Sequence, residues 1–393
     1  MTTIGSAFPS VLRRSGPLAV LLVLCTVALA LSFTNFNAPG AGTAAGEGTE
    51  AIGINTGGSI IGTYIDSKSA LHGFLLSTSG SFTAINPPGA GTAAGLGTVA
   101  EGINNAGTIA GYYTDKSMVF HGFVLSTNGV YTILNASGAG TKAGDGTLAA
   151  NINTSGEVAG FYAESTGASK GFVWTSKSGF TTFEALGSGT GSGQGTFTAG
   201  FDGLNDSGEV AGDYIDSKGV AHGYLRSSGG VFTDINASGA GTSSGQGTFA
   251  SGVNDDGTFV GLYIDSNNAN HGLVRSSSGT ITEFNVLGAG TSDTGCPKNS
   301  SGALTACQGT FPQNINSWGM IVGYYVDSKI VAHGFARSVS GGIRIFNDPD
   351  AGTAAGQGTF GISNSTLAHP LFEEITGYYV DSKNVLHGFE YYQ

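Results

Sequence analysis

Across residues 97–135, short runs of β-branched and aromatic residues alternate with clusters of Gly, Asn, Asp and Ser, and no stretch sustains a helical period. Four strand-like runs emerge: A around Ala100 to Asn104, B from Thr108 to Thr114, C from His121 to Ser126, and D from Val130 to Asn135. Asn105-Ala106-Gly107, Asp115 to Val119 and Asn128-Gly129 join them, each short enough for antiparallel neighbours. A glycine-rich stretch, Ser137 to Thr147, then leads to the next run A.

This unit repeats seven times. Gly62-Thr63-Tyr64-Ile65-Asp66 leading to His72-Gly73-Phe74 matches Gly111 to Asp115 leading to His121-Gly122-Phe123. The acidic and basic positions recur as Glu164/Lys170, Asp216/His222, Asp265/His271, Asp327/His333 and Asp381/His387, with acidic spacings of 49, 49, 52, 49, 62 and 54 residues. A period near 50 lies in the range of propeller repeats.

The two ends of the repeat array decide the topology. Phe33 to Asn37 matches run D, as in Phe82 to Asn86, but no A, B or C precedes it, and the chain stops just after the seventh run C, His387 to Tyr392. The orphan D run therefore completes the last set. The expected fold is all-β: a seven-bladed β-propeller of four-stranded antiparallel blades, closed by the N-terminal strand joining the last blade. An open solenoid would leave an unpaired edge instead.

The motifs Gly102-Ile103-Asn104, Gly111 to Asp115 and His121-Gly122-Phe123, repeated along the chain, resemble the bacterial extracellular repeats called the HAF family. The resemblance implies a secreted bacterial protein and carries no established biochemical activity. Glu164 with Lys170, Tyr224 and Leu273 depart from the pattern.

Composition fits this picture. Glycine is 68 of 393 residues, about 17% against a usual ~7%, and charged residues are 11% against a usual ~25%, poor material for solvent-facing helices. A net charge of −12 without a basic patch argues against nucleic-acid binding. Arg13 and Arg14 precede an apolar run from Pro17 to Leu31, and Ala28-Leu29-Ala30 has the small-residue pattern of a cleavage site. Residues 1–30 read as a signal peptide and 31–393 as a single propeller domain with no stable membrane span. Removing residues 1–30, which carry two arginines and no acid, takes the charge to −14. Cys296 and Cys307, a pair in an oxidising compartment, are expected to form a disulfide that staples a local loop.

Residues present in every unit are explained by construction. The exchange of Asp/His for Glu164/Lys170 keeps an acid beside a base, which fits a structural contact better than a series of catalytic dyads. Gly167 to Gly171 and Gly241 to Gly245 fit G-x-S-x-G, but neither sits on a strand–turn–helix. No catalytic constellation and no cofactor are implied. Function is sought where units differ: the insertion around Asp293 to Cys307; the arginines Arg226, Arg275 and Arg337, which replace Leu76, Leu125 and Trp174 in run C; and an insertion from Ser365 to Glu374. Arg226, Arg275, Arg337, His369, Glu373 and Glu374 form the candidate ligand site over the fourth to seventh units, for an anionic sugar, a peptide carboxylate or a metal. The expected function is non-catalytic binding of extracellular glycan or protein. A carbohydrate-active hydrolase or lyase and a surface structural or adhesive protein are the alternatives.

Overall fold

Where the sequence alternates, the chain runs as strand. The computed structural model describes residues 32–200, 202–296, 307–365 and 374–392; the expected signal peptide, His369 and Glu373 lie outside them. Among the described residues there are 28 strands, numbered β1 to β28 in chain order, and no helix. In the first repeat β2 (Gly48–Ile54), β3 (Ile60–Ile65), β4 (Leu71–Leu76) and β5 (Phe82–Ile85) pair antiparallel in sequence order. Corresponding strands pair in the same succession along the rest of the chain. Run A begins earlier than its hydrophobic pattern indicates: β6 (Gly97–Ile103) starts at Gly97, because Gly97 and Thr98 extend the ladder to Thr114 and Tyr113.

Between sets the contact changes character. Leu71 of β4 meets Gly97 of β6 in a single parallel bridge, and equivalent bridges join the later sets. Only glycine fits there. Gly97 has φ +132°, and a Cβ on it would lie 1.9 Å from the Leu71 carbonyl oxygen.

The core lies within and between the sets. A Cβ on Gly111 would meet the Val99 carbonyl oxygen at 2.3 Å and the Phe123 ring at 2.9 Å, so the strand-B glycine makes room for both a neighbouring backbone and the aromatic ring of His-Gly-Phe. Phe74, Phe123, Phe172, Phe335 and Phe389 are fully buried. The two departures at this position keep the site filled. Tyr224 is equally buried, and its hydroxyl donates to the Phe197 carbonyl at 2.8 Å. Beside Leu273, the ring of Phe259 instead reaches the strand-B glycine, Gly261.

Closure comes from the two ends. Strand β1 (Ser32–Phe36) pairs antiparallel with β28 (Leu386–Tyr392), from Ser32↔Tyr392 to Phe36↔Gly388. Phe33 stacks on Tyr391 at 4.5 Å. Leu386 also bridges to Gly48 of β2, which closes the all-β ring. The expected disulfide is present, joining Cys296 to Cys307 across 5.6 Å between Cα atoms.

Gly97→Ala is expected to lower unfolding free energy by more than about 2 kcal/mol, since it combines positive-φ strain with a backbone clash. Gly95→Ala, at φ +74° with open space around it, should cost about 1 kcal/mol. Urea denaturation of both variants checks the difference; equal losses would mean that the inter-set approach is not what selects glycine.

Candidate functional site

The repeated polar residues are consumed by the ring itself. In the B–C turn of the first set, Asp66 Oδ1 accepts from the Lys68 and Ala70 backbone N–H groups, and Oδ2 lies 3.2 Å from His72 Nε2. Six Asp–His pairs have this contact at 3.2–3.7 Å. On the other side of each ring, Nδ1 faces the amide of an Asn at 2.8–3.3 Å. The imidazoles stack on the strand-B tyrosines at 4.7–4.9 Å. Each ring thus has an amide oxygen at Nδ1 and a carboxylate facing Nε2, the latter contact being a hydrogen bond at His72 and longer in the other five pairs. In the last set the amide belongs to Asn37, so the ring joint also completes this motif.

The odd unit exchanges all three members. Lys170 Nζ contacts Glu164 at 3.1 Å and Glu184 at 3.5 Å, with Glu184 standing where the other units have Asn. The hydrogen bond to Glu164 comes first among the causes that raise the Lys170 pKa. One cation between two carboxylates replaces one imidazole between a carboxylate and an amide.

At the opposite face the A–B turns meet around the axis. Asn55 Oδ1 accepts from the Gly57 and Ser59 N–H groups, while its Nδ2 donates to the Asn104 carbonyl of the next set at 3.2 Å. Asn104, Asn153, Asn205, Asn254 and Asn316 repeat the onward donation at 3.0–3.4 Å. Each side chain therefore closes its own hairpin and latches the neighbouring one. The recurring Asn of Gly-Ile-Asn is the sequence signal for this latch, although run-by-run reading assigns it no role. The turns surround a funnel of about 150 Å³.

Of the expected ligand residues, the four that are described, Arg226, Arg275, Arg337 and Glu374, have separate surroundings. Arg226 is buried with its guanidinium 4.6 Å from the centre of the Phe183 ring in the preceding set, and Arg337 lies 4.8 Å from Phe284 in the same manner. Burial pulls both guanidinium pKa values down. These two cover apolar edges rather than face a ligand. At Arg275 the corresponding residue of the preceding set is Ile235, and Arg275 makes one long hydrogen bond, 3.5 Å to the Ser276 carbonyl.

Glu374 is buried and accepts from Ser365 Oγ at 3.0 Å. Its Oε1 lies 2.8 Å from the Tyr392 hydroxyl, which is also 2.7 Å from Glu390. The phenol has a single proton, so one of these contacts needs a carboxylic acid as donor. Burial first, and then Glu390, push the Glu374 carboxyl up to about 7. The converging pair is Glu374 and Glu390, brought together across the β27 (Glu374–Val380) and β28 ladder.

Arg275 lines a groove of about 410 Å³ between the fourth and fifth sets, with Glu209, Asp255 and Asp256 facing the same space. Asp255 is already engaged by the Asp206 N–H and Ser317 Oγ. Asp256 is exposed, and Glu209 accepts from Asn205 at Oε2, leaving Oε1 available. The groove thus offers a guanidinium with most donors unspent opposite carboxylate acceptors, beside four serines.

No family model and no curated protein matches the chain. Solved structures do. The BP39L lectin from Burkholderia pseudomallei is similar at 11% identity and a TM-score of 0.50, covering 84% of this chain and 91% of the lectin. A structure described for two prolyl endopeptidases is similar at 10% identity and a TM-score of 0.52, covering 88% of this chain and 50% of that one. At such identities the likeness is one of all-β fold alone.

Because its folded pKa is raised, Glu374 contributes stability below its unfolded value, near 4.5, that is lost as pH rises through about 7. Glu374→Gln is expected to raise the melting temperature at pH 8 and leave it near the wild-type value at pH 5. Thermal unfolding at the two pH values checks this; an equal change at both would remove the titration from the account.

Proposed function

We propose that the chain is a secreted seven-bladed β-propeller that binds extracellular carbohydrate without transforming it, at the groove between its fourth and fifth blades. The blade reading is supported by the antiparallel sets, the single bridges between them and the β1–β28 joint. Secretion is supported by the N-terminal leader pattern and by a disulfide, which persists in oxidising compartments. Among the described residues no helix is long and apolar enough to cross a membrane. The motifs that resemble HAF repeats then serve as blade joints and hairpin clasps.

One observation carries the choice of ligand: in a ring whose repeated polar groups satisfy one another, Arg275 keeps free donors opposite Glu209 and Asp256. A sugar diol matches such a surface, because each hydroxyl both accepts and donates. Three carboxylates against one guanidinium oppose a uronate, so the anionic sugar suggested by counting arginines gives way to a neutral or amino sugar. Among the described residues, the converging Glu374 and Glu390 share one phenol, and Glu374 is buried, which favours binding over hydrolysis.

An array of neutral, amino and uronate-containing oligosaccharides, followed by calorimetry on the best binder, tests the reading. Arg275→Gln should weaken binding by about tenfold or more, the loss of a charged hydrogen bond, while Arg337→Gln should leave affinity unchanged. Equal affinity for wild type and Arg275→Gln, or turnover of the bound glycan, would overturn it.

A further inference from the structure

The last set draws its strands from both ends of the array, and β28 is the middle strand of that joint. Glu390, Tyr391 and Tyr392 pair with Thr34, Phe33 and Ser32 of β1 on one side and with Thr376, Ile375 and Glu374 of β27 on the other. Three of the five residue pairs that hold β1 therefore depend on these three residues. Paired residues, and residues two apart on one strand, share a face of a sheet. Glu374, Glu390 and Tyr392 accordingly stand together on one face of the joint.

The Tyr392 hydroxyl lies 2.8 Å from Glu374 and 2.7 Å from Glu390, and the two carboxyl groups are themselves in hydrogen-bond contact. With both carboxyls ionised, the phenol supplies the only O–H among these groups, and close oxygen pairs are left without a hydrogen between them. A second proton, which makes one carboxyl an acid, satisfies the cluster. The surroundings offer no other relief. Glu374 is 3% exposed and cannot turn out to water. Its Oε2 accepts from Ser365 Oγ, just past β26 (Gly358–Asn364). Strands β1 and β26 carry no titratable residue. On β27 the next titratable residue is Tyr378, four positions along, while His387 and Tyr391 of β28 alternate onto the opposite face. The first set approaches with its Asn55 to Ser59 turn, where a Cβ on Gly58 would lie 3.4 Å from Glu374 Oε1, and that turn has no charged residue. Among the described residues no cation is among the causes that shift Glu374, which burial and Glu390 push up to about 7.

We propose that the ring joint is a proton-operated latch: a proton shared by Glu374, Glu390 and Tyr392 holds β28 between β27 and β1, and its loss above neutral pH frays the Glu390–Tyr392 end of β28 and loosens β1. The closed joint keeps the proton at a pH at which an opened Glu374, near its ordinary value of 4.5, has released it. Closure is therefore favoured on the acid side and loses that advantage as pH rises through about 7. The opening is local, because parting Glu374 from Glu390 takes only the last three pairs of the β27–β28 ladder, and the same step removes the partners of Ser32, Phe33 and Thr34. The Phe33–Tyr391 stack opposes it. On the opposite face β1 is held through Asn35, whose Nδ2 lies 3.4 Å from Asp348 and from Asp350, and through Asn37, which meets His387. Burial raises the Asp348 carboxyl too, so the test separates this contact from the latch.

Amide hydrogen exchange of the whole chain, followed by mass spectrometry at pH 6 and pH 8.5 and corrected for the intrinsic rate, reads the joint directly. Protection of β1 and of Glu390 to Tyr392 should fall about tenfold between the two conditions, while the corresponding strands of the second set, β9 (Tyr131–Leu134) and β8 (Phe120–Leu125), change by less than about twofold. Glu390→Gln should abolish the fall, since an amide carries no second charge. Tyr392→Phe removes a hydrogen bond that lowers Glu374, so the fall should persist with its midpoint at higher pH; a phenol with a packing role alone would lower protection equally at both. Equal protection of β1 at the two pH values in wild type, a fall shared alike by all seven sets, or an undiminished fall in Glu390→Gln would overturn the proposal. A fall removed by Asp348→Asn but retained in Glu390→Gln would overturn it in favour of the Asn35 contact. If Glu390→Gln does not fold, the midpoint in Tyr392→Phe decides, and an unmoved midpoint counts against the latch.

Discussion

Everything in this ring depends on how closely one set of strands can approach the next. The contact is a single parallel bridge per joint, and at Gly97 it puts a Cα against a carbonyl oxygen with no room for a side chain. So narrow a joint contributes few backbone hydrogen bonds of its own. The Asn latches at the opposite turns supply a second fixed point, since each donates to the next hairpin's carbonyl while its oxygen holds its own turn. Two fixed points per joint define an angle, and a repeated angle closes a ring. The antiparallel β1–β28 pairing then removes the edge strands that a linear array would expose.

Features whose partners are close in sequence, or at a fixed repeat distance, were legible before the fold. The four runs, the orphan D run that pairs with the last C run, the Cys296–Cys307 bridge and the acid–base exchange at Glu164 and Lys170 all belong here. The start of run A was not, because Gly97 and Thr98 have no apolar signature and are strand only by virtue of the partner ladder. Residues whose partners lie in another set were also misjudged. Arg226 and Arg337 look like free cations in one unit, but the rings that cover them, Phe183 and Phe284, belong to the unit before. Arg275 differs only because Ile235 stands in place of that ring. Likewise, the pairing of the last two strands brings Glu374 and Glu390 to one tyrosine hydroxyl, a meeting that no repeat position marks.

Symmetry and function are therefore separated by satisfaction rather than by exposure. The histidines are partly exposed and numerous, yet each is held by a carboxylate, an amide and a tyrosine face. Arg275 stands apart from them, a guanidinium without the aromatic cover that Arg226 and Arg337 have. The 52-residue spacing in the middle of the array was visible as a number, but its meaning required the fold. Three added residues in a loop would be neutral, whereas in run A of the fourth set they bring Asp202 against Gly252 of the next set.

The ring also holds two populations of acid with opposite linkage. Asp66 and Asp115 lie below the usual range, chiefly through the Ala70 and Val119 backbone N–H groups, so their contribution is present at neutral pH and lost on acidification. Glu101, Asp202, Asp213 and Glu374 are pushed up to about 7, burial being the first cause in each, so they oppose folding increasingly as pH rises from their unfolded values through 7. The first group clasps hairpins at the rim; the second sits inside the ring or at its final joint. Stability should therefore be greatest on the acid side of neutrality, between the two titrations. Deprotonating these acids adds negative charge to a chain that is already strongly negative.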